Sequence, residues 1–237
     1  MLPSAISRTF QNGVLASLSA AEITRFAPYL APVSLEEKQT LYNVGELIDT
    51  FFFLEDGVCS MVVPMASGRT VGVALIGQEG FIGASALLGP GRSPAHVFMQ
   101  ISGSGFYVRA NAFRAQLDIS KELRLLVQRS VEGLLTQMSQ TAACNCLHGL
   151  TQRLARWLLM CQDRVHSDRV DITQEGLAII LGSRRPTITS AAAALQRDGL
   201  IGYFRGHLTI QDRQGLLSRA CECYQVVHDE YLRLKLI

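Results

Sequence analysis

Thr173-Gln-Glu-Gly-Leu-Ala-Ile-Ile-Leu-Gly-Ser-Arg-Arg-Pro-Thr-Ile-Thr-Ser-Ala-Ala-Ala-Ala-Leu-Gln-Arg197 reads as a helix, a tight turn and a second helix. Thr173 can cap the first helix, Glu175 sits in its first turn where the helix dipole favours an acid, and Leu177, Ala178 and Leu181 share one face. Gly182 breaks it. The second helix opens near Ser183 or Arg184, and Pro186 is tolerated in its first turn because the N–H it lacks has no intrahelical partner there. Its apolar stripe is Ile188, Ala191, Ala192 and Leu195, so the pattern is that of a helix-turn-helix.

At about 100° per residue, Pro186, Ser190, Ala193 and Arg197 stand opposite that stripe, flanked by Thr187 and Thr189, with Arg184 and Arg185 at the N-terminal tip. Small side chains allow close approach to a major groove, and guanidiniums reach guanine edges or phosphates. Residues 200–210 form two short β-runs around Arg205-Gly206, the pattern of a hairpin wing. A structural helical hairpin with a chance Arg-Arg pair is the alternative for the motif alone, and the wing argues against it. The DNA-contacting set is therefore Arg184, Arg185, Pro186, Thr187, Thr189, Ser190, Arg197 and Arg205, with Arg185 the favoured base reader.

A chain of 237 residues, 48% of them hydrophobic, has room for about two domains with buried cores. Net charge is only +2, but residues 144–237 carry twelve Lys/Arg against nine Asp/Glu, which biases the C-terminal part toward nucleic acid. Residues 1–10 lack a basic segment followed by an apolar one, and no run of about 18 apolar residues occurs. A cytoplasmic protein without membrane contact is expected. Its six cysteines are then reduced thiols. Cys144/Cys146 and Cys221/Cys223 fall on predicted helices, where residues two apart diverge by about 200°; a structural role is expected and no metal is assigned, a redox or metal role being the alternative.

Residues 33–108 lose the helical period and become short β-runs punctuated by eleven glycines, the pattern of an antiparallel β-roll. Residues 50–54, 58–63, 69–76 and 97–101 are representative strands, with a hairpin turn at 66–69. A short helix between glycine loops in residues 80–94 brings exposed amides beside Arg92 and Ser93, a place where an anion can sit. From residue 111 onward the pattern is helical. Leu123, Val127, Val131, Leu134, Met138 and Thr141 recur at three or four, marking a seam on a helix spanning about residues 119–145, roughly 40 Å long. One small roll cannot cover so long a helix, so the seam is expected to pair with a second subunit; the alternative is a stripe lying on its own domain. Residues 140–150 read as a hinge, followed by a helix over 152–162 with Trp157 in its core.

The order of these parts, with Leu41-Tyr-Asn-Val-Gly45, Phe53-Leu-Glu-Asp-Gly57, Gly80-Phe-Ile-Gly83, Arg153-Leu-Ala-Arg-Trp-Leu-Leu159 and residues 173–201, resembles the Crp/Fnr family of bacterial transcription regulators. The resemblance spans nearly the whole chain. It implies an α+β fold: an N-terminal cyclic-nucleotide-binding-like antiparallel β-roll, a long dimerisation helix and a C-terminal winged helix-turn-helix, divided at residues 1–145 and 146–237. It further implies a homodimer, double-stranded DNA with a roughly palindromic operator as partner, contact with RNA polymerase, and no enzymatic activity.

Effector positions carried over by the resemblance are Gly83, Ala84, Arg92, Ser93, Met138 and Ser139. Members that bind cyclic AMP carry Gly-Glu where this chain has Gly83-Ala84, and losing one charge-assisted hydrogen bond removes about 1.5–3 kcal/mol. Cyclic AMP is therefore disfavoured. Another small anionic or apolar effector, or none, is expected. Oxygen-sensing members hold an iron–sulfur cluster through N-terminal cysteines, and the first 58 residues here contain none. Five scattered histidines leave haem as a minor alternative. The family's frequent acid at the Pro186 position and arginine at the Ser190 position are also missing, so the operator should differ from the better-known sites. A cyclic-nucleotide-binding regulatory protein without a DNA role is the competing reading, and the winged segment speaks against it.

Overall fold

The computed structural model describes residues 10–237; the N-terminal stretch read above for targeting signals lies almost entirely outside them. Two short helices, α1 (Gly13–Ala16) and α2 (Ala20–Phe26), lead into seven strands: β1 (Ala31–Leu35), β2 (Thr40–Tyr42), β3 (Thr50–Leu54), β4 (Val58–Pro64), β5 (Thr70–Ile76), β6 (His96–Ile101) and β7 (Gly103–Arg109). They form two antiparallel sheets, ordered β1-β7-β3 and β2-β6-β4-β5. The β-roll is thus present, and a 3-10 turn over Ala84–Leu87 stands where a short helix is expected. Between the sheets Phe26, Phe51, Phe53, Phe81 and Phe113 pack with ring centroids 4.8 to 6.1 Å apart, in tilted, edge-on and stacked contacts. Such rings supply most of the apolar area of a small core.

Helix α3 (Ala110–Ile119) closes the roll, and α4 (Lys121–Leu147) runs out of it. Ser120 caps α4, accepting a hydrogen bond from the Leu123 N–H. The helix continues two residues past its expected end, and the hinge shrinks to His148 and Gly149. Then follow α5 (Leu150–Val165), β8 (Arg169–Asp171), α6 (Gln174–Ile180), α7 (Arg185–Arg197), β9 (Ile201–Phe204), β10 (His207–Ile210), α8 (Arg213–Arg219) and α9 (Cys223–Arg233). Strands β8, β10 and β9 make a three-stranded antiparallel wing, of which β8 is not evident in the hydrophobic pattern because it has only three residues.

Helix α9 returns to the N-terminal unit. Val227, Tyr231, Leu234 and Leu236 join the roll's core, and Gly133 on α4 admits the Tyr231 ring so closely that a Cβ there would stand 2.6 Å from it. Buried Gln137 completes this junction. Its side chain accepts from the Leu75 N–H at 3.0 Å, donates to the Leu75 carbonyl at 2.8 Å and donates to the Tyr231 hydroxyl at 3.1 Å. One amide thereby satisfies polar groups on β5 and α9 together.

The seam expected for a partner subunit is corrected at Leu123, Val127 and Thr141, which face their own chain. Leu123 and Val127 are buried in the chain's own roll, and Val131, Leu134 and Met138 pack partly against it. Thr141 faces α5, where its hydroxyl receives a hydrogen bond from Arg156 at 3.0 Å. The apolar period is real, but over its first turns it is the face that holds α4 to the roll. The outward face carries Gln128, Val131, Leu135, Met138, Ala142 and Asn145, at alternating spacings of three and four, with Leu135 54% exposed. That is the heptad register of a helix pair.

Candidate nucleic-acid interface and effector pocket

The helix-turn-helix forms as its residues require. Thr173 Oγ1 accepts from the Gly176 N–H at 3.0 Å, capping α6. Gly182 takes φ +58°, and a Cβ on it would collide with Val71 of β5, so only glycine lets the turn lie against the β4–β5 hairpin. Arg69 of that hairpin donates to the Gly182 carbonyl at 3.0 Å. Ile188, Ala191, Ala192 and Leu195 are all buried against α5 and α6, leaving Arg184, Arg185, Pro186, Thr187, Thr189, Ser190 and Arg197 exposed on the other side of α7. Ala193, also read onto that face, is half-buried.

The wing turns at Arg205 and Gly206, both at positive φ (49° and 87°), the geometry of a tight two-residue hairpin. The Arg205 guanidinium lies 5.0 Å from the Phe204 ring centre, a cation–π contact that orients it. The Tyr203 hydroxyl donates to the Ile172 carbonyl at 2.8 Å and fastens the wing to the start of α6. Between them Thr173, Gln174, Arg185, Tyr203, Arg205 and Gly206 line an open recess. Two exposed guanidiniums, a backbone turn and a hydroxyl facing one hollow suit a phosphate oxygen.

A second cavity, about 180 Å3, lies between the roll and α4. Its walls include Tyr42, Met61, Ile82, Gly83, Ala84 and Val97 from the roll, with Val131, Leu134, Leu135 and Met138 from α4, and no charged side chain lines it. Two of its hydroxyls are engaged, that of Tyr42 donating to the Thr50 carbonyl and that of Ser93 to the Ala95 carbonyl, and Ser85 adds a third. Of the six expected effector residues, Gly83, Ala84, Ser93 and Met138 reach this cavity. Arg92 does not. Its guanidinium is held by the Gly45 carbonyl at 2.7 Å, because the glycine loop pairs Arg92 with Leu47 and turns the side chain outward. Ser139 is exposed one turn beyond Leu135 and does not line the cavity. The residues present do not fit a cyclic nucleotide, which needs a carboxylate for its ribose and a cation for its phosphate.

Two features were not foreseen. Glu79, in the loop after β5, meets Arg164 of α5 in a buried ion pair, and Cys144, His148, Cys221 and Cys223 converge, all four ligand atoms lying within 4.8 Å of one another. Cys221 lies in the loop before α9 and not on a helix, so it and Cys223 point the same way. Cys146 stays exposed. The Cys144/His148 spacing of four, one helical turn, is the signal of this cluster that the sequence carries. A hydrogen bond from Cys221 holds the Cys144 thiol well below the usual thiol range, and the same bond pushes Cys221 up.

Residues 32–120 match the cyclic nucleotide-binding domain and residues 152–219 the Crp-like helix-turn-helix domain. The chain belongs to the Crp/Fnr family. It is a DNA-binding transcription regulator of that type. Among its relatives is the transcriptional regulator LdrP of Thermus thermophilus, 28% identical over 171 residues, 69% of this chain and 84% of that protein. The CRP-like cAMP-activated global transcriptional regulator of Mycobacterium tuberculosis is 21% identical over 88% of this chain and 96% of its own. In fold it is similar to the c-di-GMP responsive global regulator CLP of Xanthomonas campestris, with TM-score 0.68 at 14% identity over 82% of this chain and 100% of that one. A CRP-family regulator from Thermus thermophilus gives TM-score 0.66 at 22% identity, over 79% and 96% of the two chains.

Proposed function

We propose that this Crp/Fnr-type regulator is a cytoplasmic homodimer that binds a roughly palindromic operator, with an apolar small molecule as its effector. The observation that carries the effector class is the cavity beneath Gly83 and Ala84, whose walls are uncharged and predominantly apolar. Its mostly apolar walls are those of a small-molecule site. Val131, Leu135 and Met138 belong both to the cavity wall and to the outward heptad of α4. An occupant therefore touches the helix that pairs the subunits, and it acts by shifting the pairing angle and so the separation of the two α7 helices.

In this reading residues 1–145 are the sensing unit with the dimer helix and residues 146–237 the DNA-binding unit. Arg184, Pro186, Thr187, Thr189, Ser190 and Arg197 face the groove. Arg185 and Arg205, which share the wing-side recess, clamp a backbone phosphate. The seat beside Arg205 favours the phosphate over the base that sequence position alone assigned to Arg185. Contact with RNA polymerase belongs to the same proposal. Mass spectrometry of material co-purifying with the intact dimer, followed by calorimetry, tests the effector class: an apolar compound bound at this cavity and changing operator affinity is expected, and tight binding of an anionic nucleotide instead overturns it.

A further inference from the structure

The hinge between α4 and α5 carries a cluster that the DNA-binding and effector readings leave unused. Cys144 Sγ is 3.5 Å from Cys221 Sγ, and Cys223 Sγ is 3.4 Å from His148 Nδ1. We propose that Cys144, His148, Cys221 and Cys223 form a mononuclear zinc site of the Cys3His type, which fastens the end of the dimer helix to the start of α9.

Three observations support the assignment. The first is size. A tetrahedral zinc with Zn–S bonds of about 2.3 Å places its sulfurs about 3.8 Å apart, with sulfur and imidazole nitrogen slightly closer, and the two distances here are within a few tenths of an ångström of those edges. A multi-iron cluster is too large for this set, since its thiolates bind different irons and stand farther apart than atoms gathered within 4.8 Å.

The second is the outer shell. His148 turns Nδ1 toward the sulfurs while its Nε2 lies 3.2 Å from the Glu222 carboxylate. That is the carboxylate–histidine–metal arrangement, which fixes the tautomer and the ring plane for ligation. The Gln140 amide donates to Cys223 Sγ at 3.1 Å, a contact suited to a thiolate acceptor.

The third is charge. Three thiolates, an imidazole and Zn2+ leave one net negative charge. Arg153 and Arg156 line the same recess as Cys144; Arg156 is buried, and each keeps an unpartnered buried Nε. Neither has a carboxylate partner among the described residues. A buried guanidinium without an acid is costly, and an anionic metal–thiolate centre beside it provides the missing countercharge. Soft sulfur ligands in a closed four-coordinate set select zinc over the oxygen-seeking cations.

The consequence is mechanical. Cys144 and His148 bracket the last turn of α4, whereas Cys221 and Cys223 begin the segment that carries Tyr231 back to the roll. The metal crosslinks residues 77 positions apart in sequence at the point where the DNA-binding unit leaves the dimer helix.

The test uses the full chain, purified under reductant without a metal-affinity tag, exposed to Zn2+ and dialysed. Elemental analysis should find one zinc per chain, retained in Cys146→Ser and lost in Cys221→Ser and His148→Ala. Should those variants fail to fold, Co2+ titrated into reduced wild type should give the intense ligand-field and thiolate charge-transfer bands of a tetrahedral sulfur-rich site, abolished by equimolar Zn2+. Wild type that retains no stoichiometric zinc, a Co2+ spectrum of octahedral type, or undiminished zinc in a folded Cys144→Ser/Cys221→Ser variant overturns the site.

Discussion

The Glu79 carboxylate accepts two hydrogen bonds from the Arg164 guanidinium, at 3.0 Å from Nε and 2.7 Å from Nη2, where both side chains are almost completely buried. Glu79 is also bound by the Gly77 N–H, and Arg164 donates from Nη1 to the Met160 carbonyl, so the remaining valences of the pair are largely met. Burial works against a charged guanidinium, but the neighbouring carboxylate outweighs it and holds Arg164 above its ordinary pKa. The two residues belong to different units of the chain, 85 positions apart. Together with the Gly182 turn seated on Val71, they make the DNA-binding unit a continuation of the sensor's surface.

Removing one partner should strand the other. Glu79→Ala is expected to lower stability by about 3–5 kcal/mol because an unpaired guanidinium stays buried, whereas Glu79→Ala combined with Arg164→Met should lose clearly less than the sum of the two single changes. Urea unfolding of the four proteins measures this. Additive losses would show that the pair is not coupled.

The corrected face of α4 leads to a second expectation. Leu135→Glu should convert the dimer to monomer in sedimentation while leaving the fold intact, since Leu135 is exposed within its own chain. Leu123→Glu, at 1% exposure, should instead unfold the roll. If Leu135→Glu sedimented unchanged, the heptad through Val131, Leu135 and Met138 would not be the subunit contact.

Legibility from the sequence followed the range of the interactions. The caps, the Gly182 turn, the strand alternation and the α7 stripe depend on neighbours within one turn or one hairpin, and each appears where its residues indicate. The orientation of α4 was misread because apolar periodicity marks a buried face without saying what buries it: Leu123 and Val127 meet the phenylalanine-rich roll of their own chain. Arg92 was misplaced for a similar reason, since its direction depends on the Gly45 carbonyl brought alongside by tertiary pairing. The Glu79–Arg164 pair and the cysteine cluster join residues about 80 positions apart and have no local signature beyond the Cys144/His148 spacing.

Cyclic AMP should give no low-micromolar binding in calorimetry, and Arg92→Ala should leave the response to the true effector unchanged because that guanidinium lies outside the cavity. Met138→Glu, which places a carboxylate on the cavity wall, should weaken an apolar effector by at least tenfold, a loss of about 1.4 kcal/mol or more. A large effect of Arg92→Ala on effector affinity would mean that the loop of residues 89–94 rearranges on binding.

The division of labour at the DNA surface separates by salt dependence and by site selection. Arg185 and Arg205 share a recess on the wing side of α7, away from the line of Pro186, Ser190, Ala193 and Arg197 that the proposed docking turns to the groove floor. A phosphate contact neutralises one charge without reading sequence, so Arg185→Ala and Arg205→Ala should each weaken all operators alike and lower the slope of log affinity against log salt by about one. Arg184 and Arg197 remain for base edges, and truncating whichever reads a guanine should cost about 1–3 kcal/mol and relax preference at one base pair in each half-site. Sites selected from random DNA by wild type should be roughly palindromic, with half-site centres about 34 Å apart, the spacing of successive major grooves on one face of the duplex. Relaxed selection at one position by Arg185→Ala would move that arginine from the phosphate to the base and leave Arg205 alone in the clamp.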